Sequence, residues 1–287
     1  MNPAPSVIVF TVLSGMGFGL LAFLGLGLPQ PVGWMAFFHW ALGYGLAVGG
    51  LAAATFHLGN PQRALLAFSQ WRTSWLSREG WCSVAALLAL APVALSDWLG
   101  LGWPRGLGLV GAVLAVATVG TTAMIYAQLA AVPRWNHWST PVMFFSFALA
   151  GGAILAGHDR VGGLACAGLG LFLIYLFRAG DGRFAARGQT MGTATGLGFG
   201  DVSVFELPHT GQNYLMREMI HVVGRKHSGR LRLIAVVLAG LVPALILGLF
   251  PGALVVAALI HLLGALAARW LFFAEAEHVV GLYYGMR

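Results

Sequence analysis

The sequence predicts an all-α integral membrane protein, an eight-transmembrane-helix bundle with both termini cytoplasmic. Three features of the chain predict it. Of the 287 residues, 59% are hydrophobic and only 9% are charged, where soluble domains run near a quarter charged. The apolar residues fall in runs of about 20, the length a helix needs to cross roughly 30 Å of hydrocarbon. The basic residues gather in alternate connections between those runs. The short alternating segments of a membrane β-barrel are absent.

Taken in order, the runs place spans at residues 7–28, 34–56, 80–100, 106–132, 139–157, 161–178, 231–250 and 252–272. The first run has no basic segment before it and no small-residue cleavage site after it, so it is expected to be a retained helix. Prolines punctuate the connections, among them Pro29, Pro31, Pro61, Pro104, Pro133 and Pro141. The sixth span is expected to be short, because 161–170 is rich in glycine. A tight Phe250-Pro251-Gly252 turn joins the seventh to the eighth. Pro92 and Pro243 fall inside spans, where neighbouring helices can satisfy the carbonyls they free.

Two polar stretches interrupt the spans. Residues 57–79 join the second and third. Residues 179–230 form the sizeable extramembrane segment, Gly-rich at first and amphipathic over Gly211 to Val223. The expected organisation is therefore 1–178 for six spans, 179–230 for a cytoplasmic partner-docking loop, 231–272 for the last two spans and 273–287 for a cytoplasmic tail.

Eight spans put both termini on one side. Fourteen of the 16 basic residues lie there: Arg63, Arg72, Arg78, Arg134, Arg178, Arg183, Arg187, Arg217, Arg225, Lys226, Arg230, Arg232, Arg269 and Arg287. Arg105 and Arg160 lie opposite. The positive-inside rule makes the basic side cytoplasmic. The net charge of +7 is read as a topology signal, not as a nucleic-acid footprint.

Chain direction brings the end of the second span and the start of the third to the same membrane face. His57 opens the segment HLGNPQR, and Glu79 closes the segment SWLSRE. Ser77 is placed as the helix N-cap, with Glu79 in the first turn. A histidine and a carboxylate near an interface can hydrogen-bond the carbonyls of a quinone and exchange its protons. Trp71 and Trp75 lie between them and can line an apolar slot for the ring. The plainer roles are a helix C-terminus for His57, a dipole partner for Glu79 and belt residues for the tryptophans. Arg72 and Arg78 are read as orientation or docking charges, with Arg72 a pocket candidate. Tyr126 and Gln128, near the inner end of the fourth span, are placed toward the same cavity. Glu275, Glu277 and His278 end the eighth span on that side and are candidates for proton uptake.

Other residues carry less. Cys82 and Cys166 sit in apolar runs without metal-site spacing, so no metal site is expected. His39 and His261 differ in depth by about five residues, roughly 7 Å along a helix, which argues against a haem between them. His261 is expected to be a packed hydrogen-bonding residue. The Gly-rich stretch near 192–200 lacks the lysine and the strand of a phosphate loop.

Several motifs are shared with a known family. HLGNPQRAL, SWLSREG, IYAQLAAVPRW with STPVMFF, and RWLFFAEAEHVVGLYYG resemble, in that order, the membrane anchor subunits of dimethyl-sulfoxide-reductase-type molybdoenzymes. The resemblance covers most of the chain. It implies a complex with a molybdopterin-bearing catalytic subunit and an iron–sulfur subunit, and an anchor that binds quinone (ubiquinone or menaquinone) without haem. It implies quinone-site roles for His57 and Glu79. The family's arginine near the end of span four is missing, with Met124 close to that place. The basic terminal side predicts partners in the cytoplasm, docked on loops 57–79 and 179–230. That arrangement, with the segment ELPHTGQNYL, looks most like the anchors of the cytoplasmic sulfite-oxidising enzyme. The chain is thus expected in the bacterial inner membrane, passing electrons from sulfite oxidation to quinone. An anchor for a sulfoxide, polysulfide or tetrathionate enzyme is the nearest alternative. A secondary transporter is the alternative of another class, and it predicts broken helices around a midplane ion site.

Overall fold

The structure, a computed structural model, describes residues 1–56, 60–198, 200–207, 210–211, 213–220 and 227–285. Among these residues the regular structure is entirely helical. Eight long helices dominate: α1 (Pro5–Gly25), α2 (Gly33–Thr55), α3 (Trp75–Leu99), α4 (Gly106–Ala127), α5 (Ser139–Leu155), α6 (Asp159–Asp181), α7 (Ser228–Leu249) and α8 (Leu254–Ala274). Seven are long and apolar enough to cross a membrane; α5, with 17 residues, is apolar but shorter.

The expected short span was the sixth, yet α6 has 23 residues and α5 is the short one. Asp159 sits in the first turn of α6, where a carboxylate suits the helix dipole. The glycines that follow let α6 meet α7 closely: a Cβ on Gly240 would lie 2.6 Å from the Gly170 Cα.

Helix α1 is the most deeply buried and organises the bundle. It packs against α2 and α4 on one side and against α5 and α8 on the other. The close approach to α5 needs Gly19, since a Cβ there would lie 2.1 Å from the Ala148 carbonyl oxygen. Small residues at helix crossings are the usual device where lipid supplies no hydrophobic drive to association.

The two ends of the bundle are chemically distinct. At one end the Met1 ammonium donates to the Ala276 carbonyl (2.8 Å), and Val279 N donates to Ala131 O (3.0 Å), so both chain ends meet there. At the other end Asp97 pairs with Arg105 (2.8 Å) and accepts from Trp40 Nε1 (3.1 Å), closing α2 to α3.

Helix α7 widens into a π-helical turn over Val237–Leu241, just before Pro243. Proline has no N–H for the carbonyl four residues back, here Ala239. His261 of α8 takes that carbonyl through Nδ1 at 2.8 Å. His261 is therefore a packed hydrogen-bonding residue, as its sequence context suggests. His39 faces outward at α2, with Nδ1 on the Met35 carbonyl.

The extramembrane segments hold short helices. Pro61–Phe68 forms a 3-10 helix, Arg183–Ala186 and Met191–Thr195 are single turns, and Leu215–Met219 is a π-type turn. The amphipathic stretch expected over 211–223 falls partly outside the described residues.

Candidate functional site

The site begins with the cap of α3. The N-cap is Ser74, not Ser77: the Ser74 backbone is extended, and its Oγ accepts from Ser77 N at 3.4 Å. The helix therefore starts five residues earlier than the apolar run suggests. Glu79 moves from the first turn into the second, and its side chain is buried.

Among the residues just before Glu79, Ser77 is buried, while Trp75 and Arg78 are half-buried toward the surface. The Arg78 guanidinium lies over the Trp75 ring, 4.3 Å from its centroid. Arg78 also donates to the carbonyls of Trp71 (3.0 Å) and Arg72 (2.6 Å), latching the 69–74 turn onto α3. Arg72 lies over the Trp71 ring, 5.4 Å from its centroid, and both residues are exposed. Trp75 is half-buried at the rim. His57 lies outside the described residues.

Glu79 points across to α4, where the Thr122 hydroxyl donates to it. The same hydroxyl lies 2.9 Å from the Thr118 carbonyl.

One turn further along α4, Tyr126 is buried among Trp135, Phe144, Phe272 and Phe273, with ring centroids 5.3–5.7 Å away. Tyr126 is within electrostatic reach of both Glu79 and Arg269. Arg269, on α8, is 2% exposed and lies over Phe144 at 3.6 Å. Its Nη1 has no hydrogen-bond partner among the described residues. Among them, no carboxylate forms an ion pair with it. The sequence placed Arg269 only as a topology charge. Its spacing from His261 and Ala265, both buried on the same face of α8, was the available signal. Met124 is half-buried on α4 itself, two residues before Tyr126, and Gln128 caps α4 with its backbone N–H on Met124 O (3.2 Å).

A second polar group lies nearer the surface at the same end. Glu275 pairs with Arg134 and with Arg232 (2.5 Å), and Asp181 pairs with Arg134 (3.1 Å) and Arg232 (2.5 Å). Arg183 adds bonds to the Arg134 carbonyl and Ser139 Oγ, both 3.0 Å. Four elements are tied together: the 128–138 connection, α6, α7 and the end of α8. Outside the spans, burial and the neighbouring Arg134 pull the Arg183 guanidinium down from its usual range. Burial and the Met1 ammonium hold His278 below the usual histidine range.

A bundle of apolar helices with a basic end, and with a carboxyl buried near that end, has the build of a membrane anchor for partners docked on one face. Residues 1–159 match the family described as DMSO reductase anchor subunit (DmsC). The chain is also 31% identical to a sulfite dehydrogenase subunit of Allochromatium vinosum, over 99% of each chain. The chain belongs to the DMSO reductase anchor subunit family, and so is a membrane anchor in a multi-subunit oxidoreductase complex of the molybdoenzyme type. No solved structure matches it.

Proposed function

We propose that this chain is the quinone-reacting anchor of a sulfite:quinone oxidoreductase. The observation that carries the reading is Glu79: a carboxyl buried in an apolar bundle, hydrogen-bonded to Thr122, near the end where the basic loops gather. The likeness to the sulfite dehydrogenase subunit supports sulfite as the source of electrons. The description of the family favours a sulfoxide enzyme as the second reading. Sulfite- and sulfoxide-linked assays of the purified complex separate the two.

In this reading all eight helices cross the membrane, α5 included, and both termini face the cytoplasm of a bacterial inner membrane. The iron–sulfur subunit docks on loops 57–79 and 179–230, and the molybdopterin subunit binds through it. Residues 1–178 and 231–272 are the membrane units, and 273–287 is a cytoplasmic tail.

The residues fit a quinone on two counts. Glu79 is a buried proton carrier, and Arg269 Nη1 is a buried donor lacking an acceptor among the described residues. A quinone at this place accepts two electrons from the iron–sulfur partner and two protons. Glu79 holds or releases a proton at its carboxyl oxygen, with His57 as the second proton group. Tyr126 and the surrounding rings exclude water. Trp75 and Arg72 form the rim toward the headgroup layer. Protons arrive from the same side as the electrons, so the anchor moves no net charge across the membrane.

His57→Ala and Glu79→Gln test the assignment. Dye-linked sulfite oxidation by the membrane complex is expected to persist while quinone reduction falls. Unchanged quinone reduction in both variants rejects the site.

A further inference from the structure

Between α4 and α5 the bundle leaves a groove of about 400 Å³, floored by α1. That volume lies within the range of small-molecule sites. The groove faces lipid: Phe145 and Leu149 on its α5 wall are 39% and 49% exposed. Its lining is apolar except for Ser146, whose hydroxyl is bonded to the Val142 carbonyl at 2.8 Å. The floor is concave because Gly19 lies flush on Ala148 and Gly152.

The groove has a much narrower neighbour. Phe18 and Val119 line it and also line a narrow gap of about 10 Å³, together with Ser14, Thr122 and Phe144. Thr122 is the donor to Glu79. Phe144 carries Arg269 on its ring at 3.6 Å. Phe18 and Val119 thus border both a lipid-open hydrocarbon groove and a gap with room for about one water, and two residues of that gap, Thr122 and Phe144, carry a carboxyl and a guanidinium whose Nη1 has no hydrogen-bond partner among the described residues. An unsatisfied donor in hydrocarbon is costly. A phospholipid chain in the groove brings no acceptor to that end, because its polar group stays in the headgroup layer. A molecule with a carbonyl-bearing ring at one end and an isoprenoid tail at the other matches both.

We propose that the α4–α5 groove binds the isoprenoid tail of the quinone, with Phe144 as the gate between the tail and a ring held by Thr122, Glu79 and Arg269. The inference rests on the quinone reading above and adds the path from lipid.

The test is photolabelling of the full chain, purified with its partner subunits, by a quinone analogue carrying a diazirine on its tail. Label is expected on the α5 peptide containing Ser146 and Leu149. Excess decyl-tailed quinone should displace it and phospholipid should not. Equal displacement by phospholipid, or label confined to other helices, overturns the proposal. A second measurement uses Ser146→Trp, which fills the groove from the lipid side. The KM for decyl-tailed quinone is expected to rise about tenfold more than the KM for a tail-less quinone. Equal changes in both overturn the tail assignment. Glu79→Gln should slow both quinones alike. If it slows neither, the ring site fails and the groove proposal falls with it. If it slows both while the groove tests fail, the ring site stands and only the tail assignment is lost.

Discussion

Two polar clusters occupy the same end of the bundle, and they are built on opposite principles. Near the surface, Arg134, Arg232, Asp181 and Glu275 form a closed set of ion pairs in which every charge meets an opposite one. Deeper in, Glu79, Tyr126 and Arg269 form no ion pair among the described residues, and Arg269 Nη1 has no hydrogen-bond partner among them. The outer set turns its charges on one another and fastens four elements. The inner set leaves hydrogen-bonding capacity unused in a place where unused capacity is destabilising. Satisfied charges mark a fastening; unsatisfied ones mark a site that awaits something.

That contrast is sharpest where one charge is deleted from each set. The largest effect is expected from Glu275→Ala, which removes the more deeply buried of the two carboxylates that Arg134 and Arg232 share. Breaking a mostly buried pair costs about 3–5 kcal/mol, seen as a clear fall in the thermal midpoint of the purified complex. A midpoint unchanged from the parent would show that the outer set is not a fastening.

Next comes Glu79→Gln, which keeps the shape and removes the exchangeable carboxyl proton. Quinone reduction should fall by about 10² or more, the low end of what a positioned acid–base group contributes. The thermal midpoint should hardly move. A large midpoint shift with normal turnover per folded complex would reverse the assignment of the two clusters.

Arg269→Gln should lower quinone reduction by about tenfold, a loss of about 1.4 kcal/mol. Stability should hold or rise, because replacing an uncompensated buried charge is often neutral or favourable. Loss of stability comparable to Glu275→Ala would mean that Arg269 has a structural partner after all.

The smallest effect is expected at the cap. Ser74→Ala removes the side-chain acceptor for Ser77 N and should cost about 1 kcal/mol, with turnover falling only as far as the start of α3, and with it Glu79, loosens. Thermal unfolding and quinone reduction measured on the same preparation check it.

Much of this architecture is legible along the chain. Runs of about 20 apolar residues are strong signals, because hydrocarbon tolerates only helices whose backbone is satisfied internally. The helices therefore appear where the runs do, and Glu79 and Tyr126 stand out as polar residues near their inner ends. The start of α3 is misplaced for a local reason. Apolar periodicity begins after the true helix begins, and only the extended backbone of Ser74 shows where capping occurs. The groove is not legible at all, since its lining comes from three helices whose relative rotation the chain does not print.

The sequence by itself determined which segments form long apolar helices and at which end the charges collect, because hydropathy is set residue by residue. Only the tertiary structure decided which of those charges find each other. Arg134 and Arg269 read alike along the chain, as basic residues toward the Arg-rich end of a span. Packing turned one toward Glu275 and Asp181 and the other inward over Phe144. The physical reason is that a helix fixes the depth of a side chain, whereas its direction follows from the small-residue contacts, such as Gly264 against Ala239, that set how each helix is rotated against its neighbours.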